Sequence, residues 1–467
     1  MEFKDIDIPQ LILDTKELLS SDKSITPSLK AIINLLLIVV SLQFSKVKKN
    51  SNNSSIPPSQ DPNRAKNKKS NKKKKSGGQI GHKGVTLQKV SNPDVVIALP
   101  IDRRALPKNN TYTTSTPEIR QVKDIEVNVI ITEYQAEVLI DEQGSRHVAK
   151  FPEQVTKSIQ YGSGVKTNAV YMSYYQMSSL SRIQDNFSDQ LNINLSDGSI
   201  TNFSEELYNK LESFEEWAKA NLLVSKVLHA DETGLNVNGD RLWLHTLCDK
   251  KITLFHAHER RGKEAMDDMG VLPLFKGYLC HDHWKPYFIY FCLHLLCNAH
   301  HLRELVYIEE TTEERWAKKL REFLLEINAL VKEKGGALDL KQQKVVIQRY
   351  RKIIDKGNSE CPQPEKIRGK RGPPKRTKSR NLLDRFRNYE SEVLGFMTDV
   401  DLPFTNNQGE NDLRMVKVKL KVSGCFRSML GAQIYARVRS FINTCKKTKS
   451  MYRMLSRQLL IIIFKML

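Results

Sequence analysis

Three acidic residues stand where a carboxylate could meet a metal ion. Asp231 lies in HADETGLNVNGDRLWLHT, Asp282 in FKGYLCHDHWKPY and Glu410 in LPFTNNQGENDLRMVKVKLK. The apolar run at residues 222–228 predicts a strand leading to Asp231. A turn at Asn238-Gly239 and a second strand over 242–247 follow. Asp282 closes the short apolar run GYLC. Glu410 opens a predicted helix for which Asn406 and Asn407 are suitable caps. Two carboxylates at strand ends and a third on a later helix can converge on a pair of hard cations. Mg²⁺ takes a few carboxylate oxygens and leaves its other positions to water and phosphate. Two such ions about 4 Å apart stabilise the attacking and leaving oxygens of a phosphodiester displacement. Glu410, Arg414 and Lys417 share one helical face, which suits a carboxylate working beside a DNA phosphate. The plainer alternative is a surface ion pair between Glu410 and Arg414.

Further motifs follow the same order along the chain. HADETGLNVNG with RLWLHT, ERRGKEAMDDMGVLPLFKGYLCHDHWKPY, CNAHHLREL and NNQGENDLRMVKVKLKVSGCFRS resemble the insertion-sequence 66 family of bacterial DDE transposases. The resemblance reaches upstream to KKNSNNSSIPPSQDPN and GGQIGHKGVTL, and so covers roughly residues 46–445. It implies that Asp231, Asp282 and Glu410 are the catalytic acids and the ligands of two Mg²⁺ (or Mn²⁺) ions. It also implies a ribonuclease-H-like catalytic domain, DNA as partner (the element's terminal repeats and the target) and a homo-oligomer. Three positions depart from the family pattern. Thr405 stands where Asp is usual, and Gly409 and Asn411 flank Glu410 where a small apolar residue and Arg are usual.

The chain that must position these acids has 467 residues, enough for two to four units. It carries 74 Lys+Arg against 53 Asp+Glu, a formal charge of +21, which favours a polyanionic partner. Its seven scattered cysteines fit a reducing compartment, and the acidic start lacks a signal-peptide pattern; the expected location is the cytoplasm, on the nucleoid. The apolar run 31–44 is too short to span a membrane, so no membrane partner is expected. Ile32, Leu35, Val39 and Leu42 have heptad-like spacing. Residues 1–47 therefore read as a helical segment, either self-associating or packed within its own domain. Residues 48–84 form a Lys/Asn/Ser/Pro-rich linker. Lys72, Lys73, Lys74 and Lys75 lie in its cationic strap, suited to sequence-blind phosphate contact.

Residues 85–160 read as a small strand-rich module, with strands over 95–99, 125–134 and 136–140. The resembled family often carries a cysteine zinc finger here, but no Cys precedes Cys248. Residues 161–221 read as a helical, DNA-binding or connecting region. Thr201 or Asn202 is a candidate cap there, and Tyr171, Tyr174 and Tyr175 suit the core better than base stacking. The catalytic domain spans 222–445, an α/β unit with a helical insertion over about 300–400, and 446–467 is a tail. Alternation places Glu232 on the face opposite Asp231. Arg260, Arg261 and Lys263 precede a short helix whose start could receive phosphate. Cys280, His281, His283, Cys292, His294, Cys297, His300 and His301 crowd around Asp282, but their spacing does not match a structural zinc site. His300 and Arg303 are candidates for phosphate contact, as are Lys417, Lys419 and Lys421 after Glu410 and the basic loop KIRGKRGPPKRTKSR.

The expected activity is metal-assisted cleavage at the element ends, followed by attack of the freed 3′-OH on target DNA. The residues alone support cleavage; the resemblance adds the transfer step. Two alternatives stand: a metal nuclease without strand transfer, and a non-catalytic DNA-binding remnant of a decayed element.

Overall fold

The computed structural model describes residues 8–21, 24–47, 49–54, 61, 63, 84, 86–365 and 374–448. The lysine strap and the tail beyond residue 448 lie outside them. The chain divides into two units, Ala65–Glu133 and the remainder.

The described part of Ala65–Glu133 has no helix or strand apart from one 3-10 turn at Arg103–Ala105 that Asp102 caps. The strands expected over 95–99 and 125–134 form no ladder among the described residues. Val95, Ile97, Leu99, Ile125 and Ile131 stand exposed. Apolar alternation makes a strand only where a ladder partner and a face to bury are supplied. Gln121 grips the backbone of Val90 through both ends of its amide.

In the larger unit, α1 (Ile8–Ser21) packs on α2 (Pro27–Val47). Ile32, Leu35 and Val39 of the expected heptad are exposed. No helix among the described residues is long and apolar enough to cross a membrane. A short exposed ladder joins β1 (Val138–Ile140) to β2 (Arg146–Val148), the part of the expected strand-rich module that does form. Next come α3 (Ser163–Tyr174), α4 (Leu180–Leu191), α5 (Asp197–Lys210) and α6 (Glu212–Leu223). Ser196, not Thr201 or Asn202, caps α5: its hydroxyl accepts from the Ser199 N–H. Burial raises the Tyr174 hydroxyl to about 12, as suits a core residue.

The strand expected from residue 222 begins later. Leu222 and Leu223 finish α6, with Leu222 buried under the sheet. β3 (Val227–Val237) then carries Asp231 at its middle. Asn238 and Gly239 both adopt positive φ (51° and 96°), which turns β3 tightly into β4 (Asp240–Cys248). β5 (Thr253–His258), α7 (Lys263–Asp268), β6 (Tyr278–His281) and β7 (Leu293–Leu296) follow. The five strands form one mixed sheet in the order β5-β4-β3-β6-β7. β3, β4 and β5 are antiparallel, and β6 and β7 run parallel to β3. The architecture is mixed α/β.

The chain then leaves the sheet for α8 (Asn298–Thr311), α9 (Arg315–Glu333), α10 (Leu340–Glu360), α11 (Lys378–Asn388) and α12 (Glu390–Leu394). These helices hold their own core, centred on Trp316, Leu320, Phe323, Tyr350 and Phe386. Of the basic stretch read as an exposed loop, residues 375–378 are exposed, and its end, Ser379 and Arg380, enters that core. Among its described residues, Arg380 is buried against Asp384, and Arg376 reaches the same carboxylate at 3.1 Å. The chain returns as α13 (Asn407–Ser423) and α14 (Met429–Lys447). α14 covers the edge strand β5 with hydroxyls: Ser440 Oγ accepts from the Phe255 N–H and Thr444 Oγ1 from the Thr253 N–H. An edge so capped is closed to further pairing. The far side of α14 packs Ile434, Val438 and Phe441 into α3–α5.

The parallel β3–β6 ladder ends with His229 paired to Cys280; Asp231 lies two residues further along β3, and Asp282 just past the end of β6. Gly277 lets the two strands approach closely. A Cβ there would stand 2.7 Å from the carbonyl oxygens of both Ser225 and Lys226, which are backbone atoms with little room to yield. Gly277→Ala is therefore expected to destabilise the protein by about 1–3 kcal/mol. Urea unfolding measures this, and an unchanged midpoint would show that the β3–β6 spacing gives freely.

Candidate active site

Asp231 and Glu232 are neighbours with opposite environments. Alternation along β3 sends them to opposite faces. Glu232 is buried and held: Arg261 donates to its Oε1 from Nε (2.9 Å) and Nη2 (2.6 Å), and the Tyr287 hydroxyl donates to its Oε2 at 2.6 Å. The Arg261 guanidinium lies 4.3 Å from the Trp284 ring and 4.9 Å from the Trp243 ring. This arginine was expected near a phosphate; it is bound to an acid instead. The helix it precedes, α7, is barely more than one turn long.

Asp231 has no cation bonded to it among the described residues. Its Oδ1 accepts from the Glu232 N–H at 2.9 Å. Burial raises its pKa well above the usual aspartate value, and the charges of Glu232, Asp282 and Glu410 push it the same way. Asp282 sits just past β6, where its Oδ1 accepts from the Trp284 N–H. The next residue, His283, takes a positive φ of 72°, a conformation uncommon outside glycine that turns the chain away from the strand.

Glu410 arrives on the first turn of α13, and that helix is tied to β3. Asn406 was expected as its cap, but its side chain makes no cap bond. The amide instead donates from Nδ2 to the Ala230 carbonyl (2.7 Å), while Oδ1 meets His229 Nδ1 at 2.9 Å. With Nδ2 committed to a carbonyl, Oδ1 must accept, so His229 carries its proton on Nδ1. Burial depresses the His229 pKa and keeps the ring neutral. The Asn406 N–H donates to Cys297 Sγ at 3.1 Å. Gly409, one of the departures from the family pattern, lies against Asp231. A Cβ there would stand 3.5 Å from Asp231 Cβ, an ordinary contact.

The third wall is α8. His300 Nδ1 lies 3.8 Å from Glu410 Oε1, and both atoms are buried without a hydrogen-bond partner. Burial and the Arg303 charge lower the His300 pKa; the charges of Glu410 and Asp282 oppose them. Arg303 follows one turn later, its Nε also buried and unpaired. Asp282 and Glu410 thus stand within electrostatic reach of Asp231, with His300 beside Glu410. The three carboxylates make an all-oxygen set, which suits a hard divalent ion.

A profile described as "Transposase IS66 family" matches residues 158–434. The match covers more than half of the chain. The protein belongs to this family. No curated protein matches the chain. A family of transposases acts on DNA, and the span of the match contains all three acids, the five-stranded sheet and the helical insertion.

The other candidates divide. Lys417 extends toward β3, its Nζ donating to the Gly234 carbonyl at 3.3 Å. Arg414 and Lys421 stand exposed on the same side of α13. Lys419 does not join them. The helix continues through Ser423, so residue 419 turns away, its amine half-buried 5.9 Å from the Tyr174 ring. His301 is packed rather than poised: it is buried on Phe386 and bonded to Asn298. His281 and His294 bond each other inside an aromatic cluster. Lys72, Lys73, Lys74 and Lys75 lie outside the described residues. Glu410 meets His300 rather than Arg414 among the described residues. Sequence reasoning missed the roles of Asn406, which joins helix to strand, and Cys297, which receives it. The Cys297-x-x-His300 spacing at a helix start was the signal available for the second.

Asn406 is the joint on which Glu410's position depends. Asn406→Ala would leave His229 Nδ1 and the Ala230 carbonyl buried without partners. The expected cost is about 2–3 kcal/mol, read as a lower denaturation midpoint. A loss below about 0.5 kcal/mol would show that water or rearrangement replaces the amide.

Proposed function

We propose that this protein cuts the DNA ends of its own insertion element and joins the freed 3′-OH to target DNA, with Asp231, Asp282 and Glu410 as catalytic acids. The observation that carries the reading is that the charges of Asp282 and Glu410 both act on Asp231, which has no cation bonded to it among the described residues, while its neighbour Glu232 is paired with Arg261 and Tyr287. The sheet order β5-β4-β3-β6-β7, with an antiparallel hairpin beside two parallel strands, supports a ribonuclease-H-like catalytic domain.

Asp231, Asp282 and Glu410 would hold two Mg²⁺ or Mn²⁺ ions. Bound there, such ions supply Lewis-acid stabilisation of phosphate oxygens and lower the pKa of a water. The chain's own residues do the rest. Asn406 and Gly409 bring Glu410 against β3. The unpaired Nε of Arg303 and the exposed Arg414, Lys417 and Lys421 offer phosphate contacts around the acids. The strap containing Lys72–Lys75 adds sequence-blind, salt-dependent attraction. We take the working form to be a homo-oligomer on paired ends in the bacterial cytoplasm.

Cleavage and strand transfer of the element's end DNA with Mg²⁺ or Mn²⁺ test the proposal. Asp231→Ala, Asp282→Ala and Glu410→Ala should each retain DNA binding and lose cleavage by on the order of a thousandfold or more. A wild type that cuts but never joins would be a nuclease. One that binds and never cuts would be a remnant with relic acids.

Asp231 gives a second test that needs no DNA. Its folded pKa stands above the roughly 3.9 of an unfolded aspartate. The metal-free folded state therefore holds the proton more tightly than the unfolded chain. Its contribution to stability is full below the unfolded value and is lost as pH rises through the folded one. Asp231→Asn should accordingly raise the metal-free Tm at pH 7 by about 2–4 °C. Mg²⁺ should raise the wild-type Tm and leave the variant's almost unchanged. A variant no more stable than wild type would mean that Asp231 is not strained in the metal-free site.

A further inference from the structure

Beside the all-oxygen set lies a second group of donors of different chemistry. Cys297 Sγ, one ring nitrogen of His300 and one carboxylate oxygen of Glu410 all lie within 4.8 Å of one another. Cys297 stands at the N-cap of the fourteen-residue helix α8 and His300 on its first turn, so both side chains sit at the helix's positive end. The Cys297 sulfur already accepts the Asn406 N–H, and backbone N–H groups of Ala299 and His300 also favour its charged form. Burial and the Glu410 charge nevertheless push the Cys297 thiol up, so a bound metal would have to displace its proton. His300 Nδ1 and Glu410 Oε1 are buried, face each other at 3.8 Å and have no hydrogen-bond partner. Two buried polar atoms left open toward a common point call for a ligand.

We propose that Cys297, His300 and Glu410 form a site for a thiophilic divalent metal such as Zn²⁺, and that its occupation withdraws Glu410 from the hard-metal site. Sulfur and nitrogen ligands about 3.5 Å apart are what a tetrahedral zinc requires, so a small side-chain adjustment closes the set. Three protein ligands leave a fourth position for water. The hard ions bound through Asp231, Asp282 and Glu410 prefer oxygen, while a thiolate and an imidazole select softer metals. Glu410 belongs to both sets and cannot serve both fully. Zinc therefore acts as an inhibitor competing through one shared carboxylate. The site itself stands without the catalytic reading; the inhibition rests on it.

Cobalt titration of the full-length protein tests the site without reference to activity. Co²⁺ bound by a thiolate gives a sulfur-to-metal charge-transfer band in the near ultraviolet. Wild type should show that band, and Zn²⁺ should bleach it. Cys297→Ser keeps an acceptor for the Asn406 N–H and should abolish the band. His300→Gln should weaken cobalt affinity by roughly tenfold or more. Absence of a Cys297-dependent band overturns the site. Inhibition is then read as the Zn²⁺ concentration that halves Mg²⁺-supported cleavage, each protein compared with its own zinc-free rate. Cys297→Ser should need roughly tenfold more zinc or above. Equal sensitivity of the two proteins overturns the competition. A cobalt band in a protein that never cleaves DNA would uphold the site and overturn the catalytic role of Glu410 instead.

Discussion

The architecture around the site depends on keeping one buried carboxylate close to two others. Asp231 is covered by α13, and the charges of Glu232, Asp282 and Glu410 all raise its pKa. Like charges in a low-dielectric setting separate unless the backbone holds them or a cation joins them. Here the backbone holds all three. The parallel β3–β6 ladder ends two residues before Asp231 and Asp282, and Gly277 lets the two strands approach closely. Asn406 then fixes the helix that brings Glu410, with one amide bonded to both the strand backbone and His229. Under the reading proposed above, a divalent cation would offset the repulsion that raises the Asp231 pKa.

The helical insertion serves the same end by a longer route. Between β7 and α13 the described residues form the α-helices α8–α12, with a core of their own. Such an excursion could carry Glu410 anywhere unless both of its ends are fixed. Its first residue, Asn298, takes the Phe404 carbonyl with its N–H and donates its side-chain amide to the Val393 carbonyl. The outgoing and returning strands of chain are thereby joined just before Asn406. Cys297 completes the junction by accepting the Asn406 N–H. His300 and Arg303, one and two turns into α8, face the acids because the helix starts at that junction.

Much of this was legible in the sequence where a local signal carried it. Asn238-Gly239 announced a two-residue hairpin, and alternation separated Asp231 from Glu232. Cap chemistry placed the start of α13 near Glu410, although Asn406 performs a tertiary role there instead of capping. What failed had a common cause. Residues 222–228 looked like one strand because a helix end and a strand start were both apolar and adjacent. The runs at 95–99 and 125–134 have strand composition, but composition cannot supply a partner ladder. Residues 375–378 do face solvent, but Arg380 at the end of the basic segment does not, because charge marks a surface only when no buried acid waits for it, and Asp384 does. Lys419 was grouped with its neighbours by spacing two apart, which a helix breaks.

The contrast between Glu232 and Asp231 shows how the fold discriminates between adjacent acids. Both are partly buried on the same strand, and both have raised pKa values with desolvation as the main cause. Glu232 receives Arg261 and the Tyr287 hydroxyl, and Trp243 and Trp284 flank the arginine so that it cannot swing to the other face. A free arginine near the acids would compete with a metal for Asp231, since a guanidinium forks onto a carboxylate as readily as onto a phosphate. Binding it to Glu232 removes that competitor and leaves positive charge on the far side of the strand. Glu232 is thus the counter-ion of Arg261, and under the proposed reading this leaves Asp231 available to a metal.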